Sequence, residues 1–210
     1  MSVNGILTSP SPPSEEPGTV LFETDRLLIR RFLISDAPSM AALGNDPSVA
    51  ANLRNGFPSP YTISDAESFL GMACKPDGTA YPVHNGIFVK PNTPGNPSDT
   101  PLFIGAMGII PKKDVYYRTW EIGYWVGSSA SGKGYATEAA RGFARWVFGT
   151  WPALNRLEAG VYARNAASQN VLKKVGFVEE GRKRDSVEKN GVVLDEVMYG
   201  LLRREFETMV

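Results

Sequence analysis

The stretch Glu121-Ile-Gly-Tyr-Trp-Val-Gly-Ser-Ser-Ala-Ser-Gly-Lys-Gly-Tyr-Ala-Thr-Glu-Ala139 constrains this chain more than any other part of it. It runs from an apolar strand through a turn of Gly and Ser into the first turn of an amphipathic helix. That order leaves unpaired backbone N–H groups at the helix start, where they and the helix dipole attract an anion. Gly132 and Gly134 permit close backbone approach, and Lys133 adds a positive charge inside the loop. The ligand this suits is a phosphate or pyrophosphate. A P-loop fits poorly, because Lys133 is followed by Gly134 and Tyr135 rather than by Ser or Thr. A dinucleotide fingerprint wants a third glycine where Thr137 stands. Taken alone, the loop also admits reading as a plain turn and helix cap.

Its surroundings favour the ligand. Residues 129–134, Ser-Ala-Ser-Gly-Lys-Gly, resemble the Gln/Arg-x-x-Gly-x-Gly/Ala loop of motif A in the GNAT acetyltransferase superfamily, with Ser129 replacing the leading Gln/Arg. Downstream, Asn165-Ala-Ala-Ser-Gln-Asn-Val-Leu-Lys-Lys-Val-Gly-Phe177 is similar to the Asn-x-x-Ser … Lys-x-Gly-Phe block of the RimJ/RimL-type branch, the ribosomal-protein N-terminal acetyltransferases. Glu23-Thr-Asp-Arg-Leu-Leu-Ile-Arg30 resembles the first strand of that branch. The resemblance implies an α/β GNAT fold: a mixed sheet of about six to seven strands with helices on both faces. Strands 119–126 and 156–162 would run parallel and splay apart, with acetyl-CoA in the opening.

Charge balances at 22 basic and 22 acidic residues, so no basic stripe argues for nucleic acid. The single cysteine, Cys74, excludes an intrachain disulfide and a Cys-based zinc site, and reads as a structural thiol. His84 is the only histidine, which leaves a Ser/His or Cys/His mechanism and a metal centre with little support. No apolar run reaches the length of a membrane span. The start lacks a secretory apolar core, and Glu15-Glu16 oppose an organellar presequence. A cytoplasmic enzyme is the expectation.

Residues 1–20 hold four prolines among Ser and Glu, and read as a disordered leader or a clamp over a neighbouring surface. Residues 21–210 read as one domain. Within it, Ser35 is expected to cap a helix to Gly44, and Ser64-Asp-Ala-Glu67 to open a second to Ala73. Strands follow at about 83–89 and 102–110, joined by a Pro-rich segment, 91–101, expected to be a mobile hairpin loop. After strand 119–126, a helix from Lys133 to Phe148 puts Ala136, Ala139, Ala140, Phe143, Ala144 and Val147 on one face. Strand 156–162, a helix from Asn165 to Val175 and a closing hairpin around Lys189-Asn190-Gly191 complete the order.

Acetyl transfer to an amine requires a held cosubstrate, a neutral amine, a donor to the thioester oxygen and a proton for the departing thiolate. Gly123, inside an otherwise bulky strand, suggests close backbone approach, or room for a neighbouring side chain. The resemblance implies a polarising backbone N–H here, at Tyr124 or Trp125, with the strand edge pairing to the pantetheine arm. It assigns cofactor contacts to Trp125, Val126, Gly132, Lys133, Gly134, Tyr135, Ala136, Asn165, Ser168 and Asn170, with Lys174 near a phosphate or simply solvated. Asn165 also suits an N-cap accepting from the Ser168 N–H. Ser168 is a candidate partner of the leaving sulfur, or merely a polar helix start. Glu121 is the best-motivated general base, or a salt-bridge partner of Arg118 or Arg156. Tyr124 is a second proton donor or pocket wall, or ordinary sheet packing. The acceptor would be a protein N-terminus or a small amine, and the alternative is a silent CoA-binding or interaction module. No nucleic acid, metal or membrane partner is expected, and the chain would be a monomer or homodimer.

Overall fold

The computed structural model describes residues 2–3 and 6–209, with side chains from residue 6 onward. In chain order come β1 (Ser2–Val3), β2 (Ile6–Leu7), β3 (Val20–Glu23), β4 (Leu27–Arg31), α1 (Ala37–Gly44), α2 (Pro47–Ala50) and α3 (Ile63–Ala73). Next are β5 (Asn85–Val89), β6 (Leu102–Pro111), β7 (Thr119–Val126), α4 (Tyr135–Thr150) and β8 (Arg156–Tyr162). The chain closes with α5 (Ala166–Val175), β9 (Val178–Lys189), β10 (Val192–Leu202) and α6 (Arg203–Glu207). Strands β1 and β2 pair with each other, and a mixed sheet of eight strands has the order β3-β4-β5-β6-β7-β8-β10-β9. The expected six to seven strands become eight because Val20–Glu23 pairs antiparallel with β4.

The chain forms two compact units, and passes between them within β6, β7 and α4. One comprises Pro13–Gly108 and Tyr124–Gly142. Its core gathers Phe32, Met40, Tyr61, Ala66, Leu70, Phe88 and Phe103, and Trp125 packs against it. Each fully buried Leu, Met or Phe there contributes about 1.5–3 kcal/mol. Ala66 and Leu70 lie one turn apart on α3, which aims both at that core. The cap of α3, Thr62, falls two residues before the expected one. The Thr62 hydroxyl accepts from the Asp65 N–H while the Asp65 carboxylate accepts from the Thr62 N–H, so the capping box is Thr62–Asp65 rather than Ser64–Glu67. Ser35 likewise does not cap α1. A 3-10 turn precedes that helix, and Asp36 accepts from the Leu33 N–H and a fork of the Arg30 guanidinium.

Within the stretch expected as a leader, the Glu15 carboxylate accepts from the N–H groups of Gly78 and Ala80, and Arg31 donates to the Ser14 carbonyl. Residues 91–101 fold around Asn96, which is 3% exposed and donates to the carbonyls of Val89 and Thr100. Gly95 there lies where a methyl group would strike the Tyr135 hydroxyl.

The other unit comprises Met1–Pro12, Ile109–Gly123 and Phe143–Val210. Strand β8 pairs antiparallel with β10 along its whole length, and β10 with β9. The β9–β10 turn is Asn190-Gly191, with φ of 54° and 75°, the left-handed pair that a two-residue hairpin requires. Trp120 and Trp151 meet edge to face at 5.0 Å, both buried. Arg203 donates to the carbonyls of Phe148, Trp151 and Leu154, satisfying the C-terminal end of α4. Phe206, from the apolar terminal segment, packs on Phe148 at 5.7 Å between ring centroids and is buried.

Candidate active site

The Gly-rich loop lies in the unit that carries β3–β6. After β7, a 3-10 turn at residues 128–130 leads to Ser131, Gly132, Lys133 and Gly134, all exposed. Gly132 and Gly134 have φ of 73° and 80°, where a side chain is strained, so both glycines are required by the backbone path. The Glu138 N–H bonds to the Gly134 carbonyl, which makes Gly134 the N-cap of α4. The N–H groups of Gly134, Tyr135, Ala136 and Thr137 are then the four that a helix start leaves without an internal acceptor.

Residues distant in sequence brace this loop. The Asp46 carboxylate accepts hydrogen bonds from Ser128, which hold its pKa below the ordinary value, and from Ser48 at the start of α2. Arg26 donates from Nη1 to the Lys133 carbonyl at 3.0 Å, and its Nε and Nη2 lie 2.7 and 2.6 Å from Oε2 of Glu138. The guanidinium stacks over the Tyr135 ring at 4.6 Å. Thr24 Oγ1 and the Arg26 N–H both donate to Oε1 of Glu138, at 2.5 and 3.0 Å. Burial pushes the Glu138 carboxyl up, but these hydrogen bonds and the Arg26 charge outweigh it and hold its pKa below the ordinary value. Sequence reasoning missed the bracing roles of Arg26, Thr24, Glu138 and Asp46. The available signal was Thr24 and Arg26 at a strand start together with an acid in the first turn of an alanine-rich helix. That acid reads equally well as a dipole complement.

Of the expected cofactor residues on this side, Trp125 is half-buried against Phe57 and Phe103, at 5.6 and 6.0 Å between ring centroids. Tyr124, Val126 and Ala136 are half-buried and Tyr135 is buried.

The second group of expected residues lies in the other unit. Strands β7 and β8 pair in parallel at Thr119–Arg156, Trp120–Leu157 and Glu121–Glu158, and the ladder ends there. Both strands continue beyond that point, to Val126 and to Tyr162. Glu121 thus sits at the last pairing of the β7–β8 ladder. A methyl group at Gly123 would meet no atom within 4 Å, so no neighbouring side chain requires glycine there. The Glu158 carboxylate beside Glu121 is buried, which pushes its pKa up, but hydrogen bonds from Lys112 and Arg156 prevail and lower it. Arg156 also forks onto Glu180, and Arg118 donates to the Ala153 carbonyl, so both arginines offered as partners to Glu121 have other engagements.

Asn165 caps α5, its Oδ1 accepting from the Ser168 N–H at 3.1 Å. Ser168 is half-buried, while Asn170 and Lys174 are exposed along the same helix. Gln169 donates to the Ala163 carbonyl and accepts from the Tyr199 hydroxyl, which ties α5 to the ends of β8 and β10. The structure therefore brings Asn165 together with Ser168, and Glu121 together with Glu158. Cys74 donates to the Phe32 carbonyl, and burial pushes its thiol pKa up. His84 is edge-on to Phe69, with its pKa lowered by burial. Among the described residues, no helix is long and apolar enough to cross a membrane, and no three His, Cys, Asp or Glu side chains could hold a metal ion.

The β7–β8 ladder that ends at Glu121, the left-handed glycine loop and the Asn165-capped helix after β8 lie on the segments that carried the resemblance to the acetyltransferases. The acetyltransferase (GNAT) domain pattern matches residues 26–178, and the chain belongs to that family. It is 30% identical over 184 residues to the uncharacterized N-acetyltransferase p20 of Bacillus licheniformis, covering 87% of this chain and 96% of that protein. It is 39% identical over 94 residues to YdaF of Bacillus subtilis (strain 168), provisionally named a ribosomal N-acetyltransferase; that match covers 45% of this chain and 51% of YdaF. Among solved structures, the fold is similar to Mycobacterium smegmatis RimJ in complex with CoA-disulfide, with a TM-score of 0.68 and 24% identity over 85% of this chain and 83% of that one.

Proposed function

We propose that the protein is an acetyl-CoA-dependent N-acetyltransferase acting on a primary amine. The observation that carries this reading is the β7–β8 ladder that stops after Glu121, beside a strand that runs on into the Gly132–Gly134 loop. The acetyl thioester supplies the group to be transferred. The N–H groups of Gly134, Tyr135, Ala136 and Thr137 bind its pyrophosphate, with Lys133 adding charge. Backbone groups of β7 orient the pantetheine arm beside Trp125 and Val126. A backbone N–H at Tyr124 or Trp125 donates to the thioester oxygen, and Gly123 leaves room for its approach. Glu121 accepts the amine proton, and Ser168 or Tyr124 returns a proton to the thiolate. Asn165 keeps its cap and turns its amide N–H groups to the pantetheine, with Asn170 on the same helix.

The acceptor is an N-terminal or small-molecule amine. An α-amine with a pKa near 8 loses its proton without much help, whereas a lysine-like amine near 10 leans harder on Glu121. The provisional naming of YdaF makes ribosomal-protein N-terminal peptides the first acceptors to try. Thiol release and product mass should be measured with acetyl-CoA against such peptides, polyamines and amino acids. Steady turnover with one class identifies the acceptor. The exposed Ser129 in place of a Gln or Arg motivates a second reading, a CoA-binding module without turnover. Binding of CoA with no thiol release from any acceptor would favour it. A cytoplasmic monomer or homodimer completes the proposal.

A further inference from the structure

We infer that Arg26 is a positioning residue for pyrophosphate binding, acting by turning one peptide of the loop; this rests on the cosubstrate reading above. The guanidinium holds three partners at once: the Lys133 carbonyl, the Glu138 carboxylate and the face of Tyr135. The carbonyl it holds belongs to the Lys133–Gly134 peptide. A trans peptide is planar, so its C=O and N–H point in opposite directions. Fixing the carbonyl on Arg26 therefore directs the Gly134 N–H away from Arg26, on the exposed side of the loop. That N–H joins those of Tyr135, Ala136 and Thr137 as an anion donor. Gly134, at φ 80°, adopts a conformation open to glycine in more than one basin, so without Arg26 the peptide can rotate and present its oxygen to the phosphate.

Glu138 makes the grip rigid. Its two oxygens take four donors from Thr24 and Arg26, so the guanidinium cannot swing onto the ligand without breaking a charge-assisted pair. Arg26 thereby supplies orientation to the loop, while the direct contact with phosphate falls to the backbone and Lys133.

The test compares two thioesters that differ in the pyrophosphate. Acetyl-CoA carries it and S-acetylpantetheine does not, and kcat/KM for thiol release is measured with each. The dissociation constant for acetyl-CoA is measured alongside by calorimetry. Arg26→Ala should lower kcat/KM for acetyl-CoA about tenfold through KM and weaken binding to match, as expected for one lost charge-assisted hydrogen bond. S-acetylpantetheine should react at the wild-type rate. Arg26→Lys keeps the charge beside Glu138 but cannot span both Glu138 and the Lys133 carbonyl. It should fold as wild type and show the same selective loss. Equal losses on both thioesters, or a lysine variant indistinguishable from wild type, overturn the inference. A wild-type protein that does not distinguish the two thioesters overturns the pyrophosphate reading itself, a separate failure visible before any variant is made.

Discussion

Gly123 allows the site to be probed with little disturbance to folding. A methyl group there meets no atom within 4 Å, and the backbone is in a region that any residue adopts. Gly123→Ala should leave the melting temperature unchanged or slightly raised, because a less flexible unfolded chain gains up to about 0.4–1 kcal/mol of stability. Cosubstrate affinity should fall if the empty space is where the thioester lies, and calorimetry with acetyl-CoA checks both halves. Asn165 behaves differently. It already spends Oδ1 on the Ser168 N–H, so Asn165→Ala should cost about 1 kcal/mol by thermal melting in the absence of CoA. Asn165→Asp keeps the cap and removes the amide donors, so stability should survive while CoA affinity drops. The cap was legible from an Asn three residues before a Ser at a helix start. The space at Gly123 was not, because sequence shows the missing side chain but not the missing neighbours.

Helix α4 shows what a pattern can and cannot reveal about an element. Its apolar stripe was readable at helical spacing, and Ala139, Ala140, Phe143, Ala144 and Val147 are all buried. The attachment of its first turn through Glu138 to Thr24 and Arg26 was not, because it joins residues more than a hundred positions apart. The same limit hid Asp46 under Ser128. Local competition also misled the reading at α3, where Thr62 and Ser64 each offer a hydroxyl with an acid three residues on, and the Thr62–Asp65 pair forms the cap. The Glu138 anchor has a pH signature. Its folded pKa lies below the unfolded value, so its stabilisation is complete above the unfolded value and is lost as pH falls through the folded one. Glu138→Gln should therefore destabilise by about 1–2 kcal/mol at neutral pH. The gap to wild type should close on acidification, and melting curves from pH 7 down to pH 3 would reveal a constant gap if the anchor contributes nothing.

At the level of the whole molecule, a mixed sheet was legible from segments of plain strand character, whereas the parallel β7–β8 pairing was implied by the family resemblance and the order of the eight strands is a finding of the structure. Where the ladder stops does not follow from them. Residues 119–126 and 156–162 are both continuous strands, and nothing in their composition announces that pairing ends after three residues of each. That feature came only through family resemblance. If acetyl-CoA binds as proposed, saturation at about 100 times its dissociation constant should add about 2.7 kcal/mol, and the melting temperature should rise by several degrees. A shift absent at millimolar acetyl-CoA would contradict the proposal. The short β7–β8 ladder also has a consequence unrelated to catalysis. It pairs only Thr119–Glu121 of β7, and residues 122–126 contain none of the lysines and prolines that blunt the outer edges of natural sheets. A strand without them is a template for invasion by another chain wherever its edge is uncovered. The cosubstrate would then act as a stopper, and light scattering on warming should appear earlier in the ligand-free protein, at temperatures where the fold is still intact.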